Sequence, residues 1–424
     1  MNMHAIPQRT SAETALIDAF GERLSLLPGD GEIMVRRDEA IERLKAGLPT
    51  KRVESWHYTD LRRLLTAVPQ YDGSAKAEVL SPILEGSAVL PVLNGVAATN
   101  KLPTLDGVTI QPLAEKLADG SFAAAALDLY GNDDAVGALN TAFVADGYFV
   151  DIAAGTELAT PLELQNVQAG GQTHVRFPVR IGKGARVTVL ERQAGEGTAL
   201  ASSVSQLLVG DDAEVLWLIE QEQADTATHL AQFKASLGKN AKLTLFVMNT
   251  GGKLVRQEII VDAAGEGSVF TLRGVNLLAG DTHTDVTMVL DHSVPHTTST
   301  EVVRYVITDK AQGVFQGRIN VAQKAQKTDA KMACNTLLLS DDGEFSVKPE
   351  LEIFADDVQC GHGATVTEIN HDHLFYLMAR GVDEKTARGL LVKAFVAEVI
   401  EELEDEALVD ALEARIETWF ATHG

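Results

Sequence analysis

The sequence predicts a β-solenoid flanked by helical regions, on three observations. First, "GKGARVTV" at Gly182, "GDDAEVLWL" at Gly210 and "GKNAKLTLF" at Gly238 share one form: Gly, two polar residues, Ala, a charge, then apolar residues. Their alanines recur at a spacing of 28 (Ala185, Ala213, Ala241), and "GEGSVFTL" from Gly265 places Ser268 one residue short of the next step. Second, the segments between are rich in Val, Leu, Thr and Phe alternating with polar residues, with no helix-length apolar face. Third, helical periodicity is confined to the two ends of the chain. A repeat of this length signals stacked units, because one coil cannot bury its own apolar face and neighbouring coils bury it together. The Gly-containing polar tetrads then turn the corners. The competing reading is an antiparallel sandwich with coincidental spacing.

Taken in order, Thr10 and Glu13 have capping-box spacing ahead of Leu16, Phe20 and Leu24, so a helix starts there. A second helix is predicted from Asp38, with Ile41, Leu44 and Leu48 on its apolar side. "ESWHYTDLRRLL", Glu54 to Leu65, reads as a surface turn whose Trp56 and Tyr58 pack against the body. From Glu78 to Phe143 short apolar runs alternate with Gly, Pro and Asn, a mixed connecting region. Beyond the repeats, "TDVTMVLDH", "TEVVRYVITD", "AQGVFQGRINV" and "CNTLLLS" carry the strand pattern to about Phe354. Asp383 then caps a helix bearing Leu391, Phe395, Val396, Val399, Ile400 and Leu403. A last amphipathic segment runs through Leu408, Leu412, Ile416 and Trp419. Residues 383–417 hold eleven acidic against four basic side chains, read first as a solvated face and second as a docking module at the solenoid's end.

A formal charge of −24 argues against a nucleic-acid binder, since that affinity rests on Lys and Arg neutralising phosphates. The start of the sequence has no signal-peptide core, no apolar run reaches membrane-spanning length, and the two cysteines cannot make a disulfide framework, so a reduced cytoplasmic setting is expected. There is no phosphate loop, dinucleotide fingerprint, serine elbow or His-Glu-x-x-His motif.

The stretch "ADDVQCGHGATV" places Cys360 two residues before His362, between Gly361 and Gly363. On a strand, residues two apart share a face, so a thiolate and an imidazole, both suited to iron or zinc, could point to one spot. The glycines would permit close backbone approach or unusual dihedrals. Two ligands do not complete a site, and Cys334 is the one further thiol, so a metal centre requires a partner chain. The alternative is a small core cysteine beside a hydrogen-bonded turn histidine. His371 and His373 in "NHDHLFYL" read as a polar helix start.

"GVFQGRINVAQKAQKTDAKMACNTLLLS", "KPELEIFADDVQCGHGATV" and "LFYLMARGV" closely resemble, in that order, the SufB/SufD family of the SUF iron-sulfur cluster assembly machinery, on its SufD side. "ESWHYTDL" resembles the family's N-terminal signature, and the Cys-x-His-Gly block separates the SufD side from SufB. The resemblance implies a right-handed parallel β-helix between helical ends, with an N-terminal helical and mixed region over 1–145, a β-helix core over 146–355 and a C-terminal helical domain over 356–424. It implies pairing with SufB through the ends of the β-helices. Docking of the ATPase SufC would fall to the C-terminal helices, where Phe395, Val399, Leu403 and Leu412 lie. A nascent iron-sulfur cluster would form at the SufB interface, with His362 as ligand and Cys360 as a secondary one. Cys334 is then either a buried leftover thiol or an additional interface ligand. Reduced flavin in the complex and a homodimer of the isolated chain stay open; nucleic acid and membrane are not expected partners. The implied role is a non-catalytic scaffold. The alternative is a β-helix lyase or hydrolase acting on polysaccharide, against which stand the missing signal peptide and an aromatic content of 5%.

Overall fold

In the computed structural model, which describes residues 8–119 and 124–423, strands alternate between two sheets as the chain advances. The first sheet takes Leu162–Gln168, Arg186–Gly195, Glu214–Gln223 and every second strand onward to Gln359–Glu368. The second takes Gly171–Ile181, Ala199–Val209, Thr228–Leu237 and onward to Glu344–Ile353. Neighbours among these strands are parallel and in register along their length. This is a parallel β-solenoid, one strand per sheet per coil, as expected.

The tetrads work as predicted, and their composition has a physical cause. Gly184, Asp212, Asn240 and Gly267 adopt left-handed φ of 66°, 57°, 54° and 76°, a conformation that Gly, Asn and Asp reach at least cost. The next residue, Ala185, Ala213, Ala241 or Ser268, turns into the interior and is fully buried. At the leading glycines the coils stack backbone to backbone. A Cβ on Gly182, Gly210, Gly238 or Gly265 would lie 2.4, 2.7, 2.8 or 2.0 Å from the main chain of the preceding turn.

Differences from expectation lie at the ends. The second helix is Gly31–Lys45, capped by Asp30 rather than begun at Asp38; Leu48 is buried just beyond it. The connecting region contributes strands of its own: Ala88–Leu93 joins the first sheet in parallel, and Val108–Pro112 caps the second, antiparallel to Asp146–Ile152. Stacking also continues past Phe354, through Gln359–Glu368, so the last coil belongs to the solenoid and the C-terminal helices begin at His371. Short runs broken by Gly and Pro lack the length that marks a strand, and only pairing with a formed coil selects it.

Outward apolar residues, unexpected on a solenoid surface, mark where helices cover it. Leu200, Leu230 and Leu254 on the second sheet pack with Leu16, Phe20, Ile41 and Trp56. Leu190, Leu218, Phe246 and Val275 on the first sheet pack with Val396, Val399, Leu408 and Leu412. The "ESWHYTDL" segment is anchored deeply. The Arg256 guanidinium lies 3.9 Å from the centre of the buried Trp56 ring, donates to Ser55 O at 2.8 Å and pairs with Asp285 at 2.6 Å.

Candidate functional site

Cys360 and His362 lie on the terminal strand of the first sheet, Gln359–Glu368, which has a neighbour on one side only. Its register pairs Ala330 with Cys360, Met332 with His362 and Cys334 with Ala364. Ala330, Met332 and Cys334 all face the interior core, so Cys360 and His362 project onto the inner face at the open end of the lumen. The shared face read from the sequence is therefore present.

The two cysteines differ sharply. Cys334 is 1% exposed and burial pushes its thiol far up, which suits an inert core residue rather than a ligand. Cys360 is half-buried. Burial raises its thiol, opposed by a hydrogen bond from the Ala330 main chain and reinforced by Asp329 and Glu301. His362 is exposed. Among the described residues no three metal-ligating side chains converge. Gly361 and Gly363 have ordinary φ, and a Cβ on either would meet nothing within 4 Å. Neither unusual dihedrals nor a close neighbour among the described residues explains them; they leave the strand's surface open.

One residue missed in the sequence stands two rungs below His362. Leu162, Val189, Trp217, Leu245 and Leu272 form one inward column across successive strands, which continues as Glu301, Met332 and His362. Glu301 is fully buried, and burial raises its carboxyl to about 8, with Ser299 and Arg273 opposing. Neither oxygen makes a well-formed hydrogen bond among the described residues. In "TEVVRYVITD" alternation alone does not tell which set of residues points inward, so this acid read as surface.

The C-terminal residues assigned to docking face the chain itself. Val399, Leu403 and Leu412 are buried against the first sheet, and Phe395 lies under the Arg304 guanidinium at 4.6 Å. Arg273 pairs with Glu402, Arg304 with Glu398 and Arg415 with Glu220 across the same seam. Exposed apolar residues are instead Phe375, Tyr376 and Met378 on helix His371–Ala379 and Leu390 on helix Glu384–Glu401. His371 and His373 open the first of these helices, where Asn370 accepts from the main chain of Asp372 and His373, as their polar setting suggested.

Comparisons with known proteins assign the family. Residues 164–395 match the SufBD core domain of SUF-system FeS cluster assembly. The chain is 28% identical to an iron-sulfur cluster assembly SufBD family protein of Synechocystis, over 91% of both chains. It is 28% identical to the iron-sulfur cluster assembly protein SufD of Escherichia coli, over 88% of this chain and 89% of that one. It is also 25% identical to the chloroplastic protein ABCI7 of Arabidopsis thaliana, over 93% and 88%. With more than half its length matched to the core domain, the chain belongs to the SufBD family of iron-sulfur cluster assembly proteins.

Proposed function

We propose that this chain is a non-catalytic, cytoplasmic scaffold that pairs with a SufB subunit through its last coil, so that a nascent cluster forms at the shared end with His362 as a ligand and Cys360 in a secondary role. The observation that carries this reading is the position of His362: exposed, on a terminal strand paired along one edge only among the described residues, facing the open lumen. An edge strand offers unmet main-chain donors and acceptors to a partner strand. Ile353, Phe354 and Val366 add exposed apolar surface at the same end. A ligand set short of completion in one chain fits a centre completed by another. We assign docking of the SufC ATPase to the face bearing Phe375, Tyr376, Met378 and Leu390, because the residues first expected there are consumed by the intrachain seam. Reduced flavin has no residues here that argue for it. The polysaccharide reading is set aside with the family assigned. The test is co-expression with SufB and SufC, scoring complex formation and cluster reconstitution separately. A His362→Ala complex that assembles yet builds clusters at the normal rate refutes the role of His362.

A further inference from the structure

The solenoid interior is not uniformly apolar. Asn166, Gln193, Gln221, Asn249 and Asn276 pair rung to rung down five successive strands of the first sheet, forming an inward amide ladder. Asn166 Nδ2 donates to Gln193 Oε1 and Asn249 Nδ2 to Asn276 Oδ1, both at 2.7 Å. Gln193 Nε2 donates to Glu191 Oε1 at 2.7 Å, Gln221 Nε2 to Gln223 Oε1 at 3.2 Å and Asn276 Nδ2 to Arg304 O at 3.4 Å; since each amide has two N–H groups and two acceptor lone pairs, these bonds leave the ladder under-satisfied. Asn166 Oδ1, Gln221 Oε1 and Asn249 Oδ1 have no hydrogen-bond partner among the described residues.

The second sheet adds to the same corner, where strands of the first sheet end and those of the second begin. Thr173, His229 and Gln257 share the inward parity of the core residues Val175, Phe233 and Ile259. Thr173 Oγ1, His229 Nδ1 and Gln257 Oε1 also lack partners among the described residues, as do both amide atoms of Gln168 and Gln223 Nε2. All these side chains are at most 2% exposed. Orphaned buried polar atoms are few in native proteins, and each calls for an explanation, of which a bound water or ion is one; here nine such atoms lie along one lane.

The chemistry of the lane selects that ligand. Its groups are amides, a hydroxyl and an imidazole that burial keeps neutral, with a pKa lowered to about 3. The adjoining acid, Glu191, is already engaged by Ser205 at 2.7 Å, Gln193 at 2.7 Å and Trp217 at 3.1 Å. With no free charge facing it among the described residues, the lane offers little to an ion, whereas a molecule that both donates and accepts can meet the orphaned donors and acceptors alike. The lane stops where Tyr305 follows Asn276 in the ladder column and gives its hydroxyl to Val314 O at 2.7 Å. We propose that the corner holds a file of ordered water molecules, running along the solenoid axis and closed off below the last coils.

The test uses the full chain, with water as the probe. A high-resolution crystal structure is expected to show density within hydrogen-bonding distance of Gln168, Gln221, His229 and Asn249, and relaxation dispersion of the water oxygen-17 signal is expected to count long-lived internal molecules. Amides turned into direct pairs with no density between them would overturn the proposal. Gln221→Leu is expected to lower both the internal-water count and Tm by a few degrees, because it strips partners from bound water. A higher Tm with an unchanged count would instead mean that Gln221 is an unsatisfied group in a dry core.

Discussion

Met332 and His362 are direct cross-strand partners at the open end of the lumen, with Glu301 next below Met332 in the same inward column. Three chemistries thus follow one another where the other positions of the column hold Leu, Val and Trp: a buried acid, a thioether and an exposed imidazole.

His362→Ala should leave Tm near wild type and keep the complex intact while sharply reducing cluster reconstitution. Exposed positions away from special features usually change stability by less than about 0.5 kcal/mol. Cys360→Ala should have the milder effect. Thermal unfolding and reconstitution on the same preparations check this. Unfolding by His362→Ala, with the folded remainder still active, would make the histidine structural.

Glu301→Gln should stabilise the protein above neutral pH. Burial raises the carboxyl from 4.5 to about 8, so the folded state binds the proton more tightly than the unfolded state. Stability is unaffected below the unfolded value and falls as pH rises from there to about 8, by on the order of 5 kcal/mol. The Gln variant removes this slope. Denaturant unfolding at several pH values compares the two; parallel curves would count against an unpaired acid.

On the acidic side the sign is reversed. His229 and His292 are held neutral by burial, with pKa lowered to about 3 and about 4. They bind protons more tightly once unfolded, so stability should fall as pH drops from about 6.5 toward 4. His292→Gln should flatten that limb in a urea titration series.

Leu412→Ala should cost about 2–5 kcal/mol, because it empties a buried position in the seam between the C-terminal helices and the first sheet. Phe375→Ala with Tyr376→Ala should leave stability unchanged and abolish ATPase capture. Undiminished capture by the double variant would reject that docking face. Truncation after Val382 is the poorer test, since it would uncover Leu218, Phe246 and Val275.

Arg256→Ala should be among the most damaging single changes outside the lumen, at about 3–5 kcal/mol. It leaves Asp285 and Glu258 buried without their cation and removes the support of Trp56. Urea unfolding measures it, and an effect below about 1 kcal/mol would mean that the network is solvated.

The sequence by itself determined the solenoid, because its signal is local and repeated. A left-handed corner needs Gly, Asn or Asp, a stacked corner needs Gly, and the next residue must be small enough to turn inward; these demands recur at a fixed spacing. It also determined that Cys360 and His362 share a face, which follows from the pleat of any strand. Tertiary structure decided the rest. Alternation cannot say which face of a strand points inward, so Glu301 and the amide ladder became visible only once the coils were in register. Nor does helical periodicity say what an apolar face meets. Val399, Leu403 and Leu412 looked available for a partner, yet the first sheet presents Leu190, Leu218 and Phe246 to them, and burial against their own chain takes that surface first.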